Sequence, residues 1–102
     1  MDLIVPSEGQ SYEEITVSNA AIGFTTALIQ PSGASPPRGA VLTLETANIR
    51  WRVDGGDPSG AVGHLMTTTD SLVIHGANNM SNFRAFRDAG ADGSLHVTYM
   101  FS

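Results

Sequence analysis

The chain reads as all-β: a single-domain β-sandwich or jelly-roll-like barrel of seven to eight mostly antiparallel strands. Three observations predict this. Short runs rich in Val, Ile, Thr, Phe and Tyr recur with turn residues between them, several of these runs alternate with a period of two, and no window holds a helical period. The 102 residues fit one domain, long enough to bury about two-thirds of the surface the unfolded chain exposes. There is no Cys, so packing rather than disulfides or thiolate metal sites must hold the domain together.

Residues 1–14 carry no periodic pattern and are expected to form an extended N-terminal arm, with the sandwich spanning 15–102. ITV (15–17) is the first candidate strand and IGFTTALI (22–29) the second. In QPSGASPPRG (30–39) three prolines remove ladder donors and restrict φ, which predicts a long turn. AVLTLE (40–45) follows as a strand. IRWRV (49–53) then places Ile49, Trp51 and Val53 on one face and Arg50 and Arg52 on the other, the signature of a half-buried strand. VGHLM (62–66), SLVIH (71–75), NFRAFR (82–87) and SLHVTYMF (94–101) complete the set. In the last of these Leu95, Val97, Tyr99 and Phe101 share a face opposite Ser94, His96, Thr98 and Met100.

Composition limits the partners. The formal net charge is -5 and no basic residue precedes Arg38, so a nucleic-acid surface is not expected. No run approaches the roughly 18 apolar residues of a membrane span, and MDLIVPSEGQ lacks the basic and apolar regions of a secretory signal; a soluble protein without membrane contact is expected. Charged residues make up 15%, against about 25% in an average domain. All five basic residues are Arg. Interfaces favour Arg over Lys, although a GC-rich coding sequence produces the same replacement.

The polar motifs argue against chemistry. DGGDPSG (54–60) is explained by a turn, since Asp-Gly favours hairpins and Pro58 cannot sit in a central strand. As a Ca²⁺ loop it offers only Asp54 and Asp57, and it lacks the G-K-[ST] ending of a phosphate loop. His64, His75 and His96 are of a type to bind Zn²⁺ together, but their spacing requires no such site, so no metal and no cofactor is assigned. Ser71, His75 and Asp70 lack a nucleophile elbow, and most carboxylates lie in turns, so no catalytic residue and no enzyme activity is expected. FRAFR (83–87) mixes aromatic rings with Arg84 and Arg87, which reads either as a protein contact or as an edge strand whose charges discourage stray pairing.

The run from IGFTTALIQPSGASPPRG through AVLTLETANIRWRVDGGDPSGAVGHLM, with SLVIHGANNMSNFRAF and GSLHVTYMF, resembles small structural proteins of tailed bacteriophages from about residue 21 onward. IRWRVDGGDP alone is similar to a hairpin in β-sandwich modules of chitin-degrading enzymes, where it is likewise structural. The phage resemblance implies a virion component made in the host bacterial cytoplasm, foremost a capsid decoration (cement) protein on the capsid surface. It would bind the major capsid protein and act as a homo-oligomer, a trimer at local three-fold positions being the simplest. Contacts would then come from the arm (Asp2, Leu3, Ile4, Val5, Tyr12), the Pro-rich loop (Pro36, Pro37, Arg38) and the strand carrying Arg84, Phe86 and Arg87. Two alternatives stay open: a neck or tail component, and a carbohydrate-binding sandwich using Trp51.

Overall fold

In the computed structural model, which describes residues 9–30, 33 and 35–101, two antiparallel sheets face each other across one apolar core. Sheet A has four strands in the order β1 (Gly9–Val17), β7 (Gly93–Met100), β2 (Gly39–Glu45), β5 (Ser71–His75). Sheet B has three, in the order β4 (His64–Met66), β3 (Ile49–Arg52), β6 (Arg84–Arg87). Two short helices, α1 (Thr26–Ile29) and α2 (Ala77–Asn82), add Ile29 and Met80 to the same core. Over the described residues the fold is thus an all-β sandwich of seven strands.

The period of two explains the core. β7 lies between β1 and β2, and its inward residues Leu95, Val97 and Tyr99 are fully buried between Ile15 and Val17 on one side and Leu42 and Leu44 on the other. Sheet B answers with Ile49, Met66 and Ala85. An aromatic row links the two layers: Tyr99 meets Phe24 edge-on at 5.6 Å, Phe24 stacks on Phe83 at 4.5 Å, and Phe83 reaches Trp51 at 6.4 Å. Met100, expected on the outer face, is instead buried; its register partners Gly9 and Gly39 have no side chains to hold it off the sheet.

Three expected boundaries need correction. Strand pairing begins at Gly9, so residues 9–14 belong to sheet A rather than to an arm, while residues 1–8 lie outside the described residues. The expected strand over 22–29 is a single bridge, Ile22 to Ala85, followed by α1. Leu28 and the adjacent Ile29 both turn toward the core, which a helical turn permits and an alternating strand does not. Likewise the first residue of NFRAFR ends α2, where Met80 is the buried residue, and the strand starts only at Arg84.

The chain passes from sheet A to sheet B through ETAN (45–48). The Ala47 N–H donates to the Glu45 carbonyl at 3.0 Å around Thr46, whose φ is 79°. This is a γ-turn of the rare, strained kind, here centred on a β-branched residue. Close beside it a Cβ on Gly93 would stand 2.7 Å from Ile49 Cγ2 and 2.8 Å from the Ala47 carbonyl oxygen, so β7 can enter the sandwich here only as glycine.

Candidate functional site

The outer face of sheet B collects side chains that the sequence scatters. Arg50 is in register with Leu65 on β4 and with Phe86 on β6, so the three stand abreast across the sheet. Arg52 and Arg84 form the next row. Two arginines placed opposite each other would repel, and the surroundings remove the conflict. Arg52 forks onto Asp54, with Nε to Oδ1 at 2.9 Å and Nη2 to Oδ2 at 2.6 Å. Arg84 donates instead to the carbonyls of Ser81 at 3.0 Å and Phe83 at 2.7 Å. Arg50 Nε bonds Asp88 at 2.8 Å.

The DGGDPSG segment serves this face. Asp54 accepts the Arg52 fork and the Gly56 N–H at 3.2 Å, while Gly55 takes φ 90°. A Cβ on Gly56 would stand 2.5 Å from the Arg52 guanidinium, so glycine is required for the arginine to lie across the turn. The hydrogen-bonded guanidinium holds the Asp54 carboxyl down to about 2, and the same pair raises Arg52. The loop then closes with reciprocal bonds between Ser59 and Val62, leaving Val62 and Leu65 exposed beside the arginine rows. The turn reading of this segment therefore describes what the residues do.

Sheet A uses its polar groups differently. Glu13, on the inner face of β1, accepts the Tyr99 hydroxyl and also the Thr25 N–H at 3.2 Å and the Thr25 Oγ1 at 2.6 Å. One carboxylate thus satisfies a core tyrosine and ties down Thr25, the residue that opens α1. Burial first, and then the Glu13 carboxylate, push the Tyr99 hydroxyl well above the usual tyrosine range. On the outer face, Tyr12 bonds His96 Nδ1 and Glu45 lies 2.6 Å from His96 Nε2, while Ser94 bonds Glu14. His64 packs on Trp51 at 4.8 Å, and His75 ends β5. Among the described residues no three His, Asp or Glu side chains gather as a metal-binding group.

The residues expected to touch a partner do not form one surface. Asp2, Leu3, Ile4 and Val5 lie outside the described residues. Tyr12 is exposed on the outer face of sheet A, whereas Arg84 and Phe86 are on the outer face of sheet B. Arg87, in register with Ile49, turns to the other side of β6 and bonds Asp92 at 3.0 Å. In the Pro-rich loop Pro36 is exposed, Pro37 buried, and the Arg38 N–H donates to the Met100 carbonyl. Trp51 is half-buried at the end of the aromatic row. Sequence reasoning missed Arg50 and Leu65 as surface partners of Phe86. The signal was present in the alternation of IRWRV, but the pairing that aligns it with HLM and RAFR was not.

The fold and surface define an all-β sandwich whose polar side chains tie its own elements together and whose smaller sheet presents aliphatic, aromatic and arginine groups side by side. No protein-family model, no curated protein and no solved structure matches the chain.

Proposed function

We propose that the protein is a non-catalytic structural component of a tailed-bacteriophage virion, a capsid decoration (cement) protein that binds the major capsid protein on the outer lattice. The observation that carries the reading is the outer face of sheet B, where Leu65, Arg50 and Phe86 stand in one row. Apolar and aromatic groups interleaved with arginine are the composition of interface centres. The arginines are already oriented by Asp54, Asp88 and backbone carbonyls, so little side-chain entropy remains to be lost on contact. The resemblance of residues 21–101 to phage structural proteins supplies the partner. Binding only the assembled lattice would raise its stability by mass action, as any ligand of the native state does.

The test uses empty capsids that lack the protein. Added protein is expected to co-sediment with them and to raise their melting temperature, and Phe86→Ala with Leu65→Glu is expected to abolish both effects while the isolated fold persists. Capsids that neither retain the protein nor shift in melting temperature overturn the reading.

A further inference from the structure

The chain has two tyrosines, and the fold treats them oppositely. Tyr99 is fully buried with its hydroxyl on Glu13, whereas Tyr12 is 58% exposed on the outer face of sheet A. Tyr12 on β1 and Glu45 on β2 stand on either side of β7, and the register makes both diagonal neighbours of His96. Long side chains reach across such diagonals. The Tyr12 hydroxyl bonds His96 Nδ1, and Glu45 Oε2 lies 2.6 Å from His96 Nε2. Hydroxyl, imidazole and carboxylate thus follow one another across three strands.

The order of these groups gives the line a direction. An ionised carboxylate only accepts, so Glu45 holds the ring proton on Nε2. In the neutral ring Nδ1 then carries the lone pair and accepts the Tyr12 proton. A base within hydrogen-bond reach of a hydroxyl, itself oriented by a third group, is the arrangement that activates a weak nucleophile. Charge selects the electrophile. β1, β7 and β2 contain no Arg, and Glu14 and Glu45 flank His96, so an anionic phosphoryl or nucleotidyl donor is repelled. The row headed by Tyr12 continues across the sheet as Thr98, Val41 and Val73, all uncharged and methyl-bearing.

We propose that Tyr12 is a covalent modification site, acylated on its hydroxyl by an uncharged activated ester. The phenol oxygen bonds the acyl carbon as its proton passes to His96 Nδ1. The bond from that carbon to the ester oxygen then breaks, and the departing alcohol or phenol takes the proton from the imidazole. The products are acyl-Tyr12 and the free alcohol, with His96 restored. The chain is a reactant consumed once, so this inference goes beyond the virion reading and does not rest on it.

The test incubates the full chain with p-nitrophenyl acetate and locates acetyl groups by peptide mass spectrometry. Acetylation of Tyr12 is expected roughly tenfold faster than that of N-acetyltyrosinamide, and slower in heavy water because a proton moves in that step. Tyr12→Phe should abolish it. His96→Gln keeps a hydrogen-bonding side chain but no base, and should remove both the rate advantage and the isotope effect. Glu45→Gln lets an amide donate to Nε2, which moves the ring proton to Nδ1, and should do the same with the melting temperature unchanged. Acetyl phosphate, an anionic donor, should show no advantage over N-acetyltyrosinamide. A Tyr12 rate equal to that of N-acetyltyrosinamide overturns the inference, as does one indifferent to His96→Gln or acetyl uptake undiminished in Tyr12→Phe. Capsid binding is measured separately and stands or falls on its own result.

Discussion

The two sheets differ in how they are built and in what their polar side chains bind. Sheet A is built of longer strands, its central β7 has a fully buried inner face, and its carboxylates are spent on internal ties: Glu13 to Tyr99 and Thr25, Glu14 to Ser94, Glu45 to His96. Sheet B has strands of three and four residues, a thin inner contribution, and an outer face of arginine, leucine and phenylalanine. Stability should therefore reside in sheet A and recognition in sheet B. The comparison also separates two kinds of apolar side chain: those that fill the core are occupied, whereas Leu65 is exposed and Phe86 beside it only half-buried.

The comparison can be broken most directly by truncation in sheet A. Leu42→Ala removes a fully buried side chain next to β7 and is expected to lower unfolding free energy by about 2–5 kcal/mol in urea titrations. Leu65→Ala should stay within about 0.5 kcal/mol of the parent and, on the capsid binding we propose, act there instead. Equal losses from both would erase the division. Next in size, Glu13→Ala leaves the Tyr99 hydroxyl and the Thr25 N–H and hydroxyl without their acceptor, for a loss of about 1–3 kcal/mol. Tyr99 sharpens this further. Its folded pKa is raised above the unfolded value of 10.0, so its contribution is intact below pH 10 and declines as pH rises beyond it. Alkaline melts should therefore destabilise the parent more steeply than Tyr99→Phe.

A smaller effect, of opposite sign, is expected at the passage between the sheets. Thr46→Gly relieves the positive φ at the cost of unfolded-state entropy, and a net gain of about 1 kcal/mol is expected in thermal melts. Smallest is Asp54→Asn. The Asp54 pKa is depressed to about 2 from 3.8, so the Arg52 pair stabilises fully above pH 4 and is lost as pH falls through 2. The difference in melting temperature between parent and variant should shrink over that window, while a constant difference would show that the carboxylate charge is immaterial to the turn.

The strands that alternate cleanly were legible because half-burial imposes a period of two on the residues themselves. SLHVTY, AVLTLE and IRWR occupy β7, β2 and β3 nearly as read, and DGGDPSG is the turn its residues announce. α1 and α2 were not legible: four and six residues are too few to show a helical period, and each commits a single residue, Ile29 and Met80, to the buried core. The surface on sheet B was half legible. Phe86 and Arg84 drew notice as an aromatic and basic cluster, but Leu65 and Arg50 look ordinary until strand pairing sets them beside Phe86.

What the sequence determined by itself was the class: an uninterrupted supply of alternating β-branched and aromatic runs, cut by Gly, Pro and Asp, admits only a sandwich or barrel of short strands. What tertiary structure alone decided was adjacency. Glu13 meets Thr25 and Tyr99, Thr46 is forced into a positive φ between sheets, and Tyr12, His96 and Glu45 fall into line because partners distant in the chain were brought together there. Local sequence encodes which face of a strand is apolar, but strand order and register arise from the packing of the whole core, and those set which side chains share a surface.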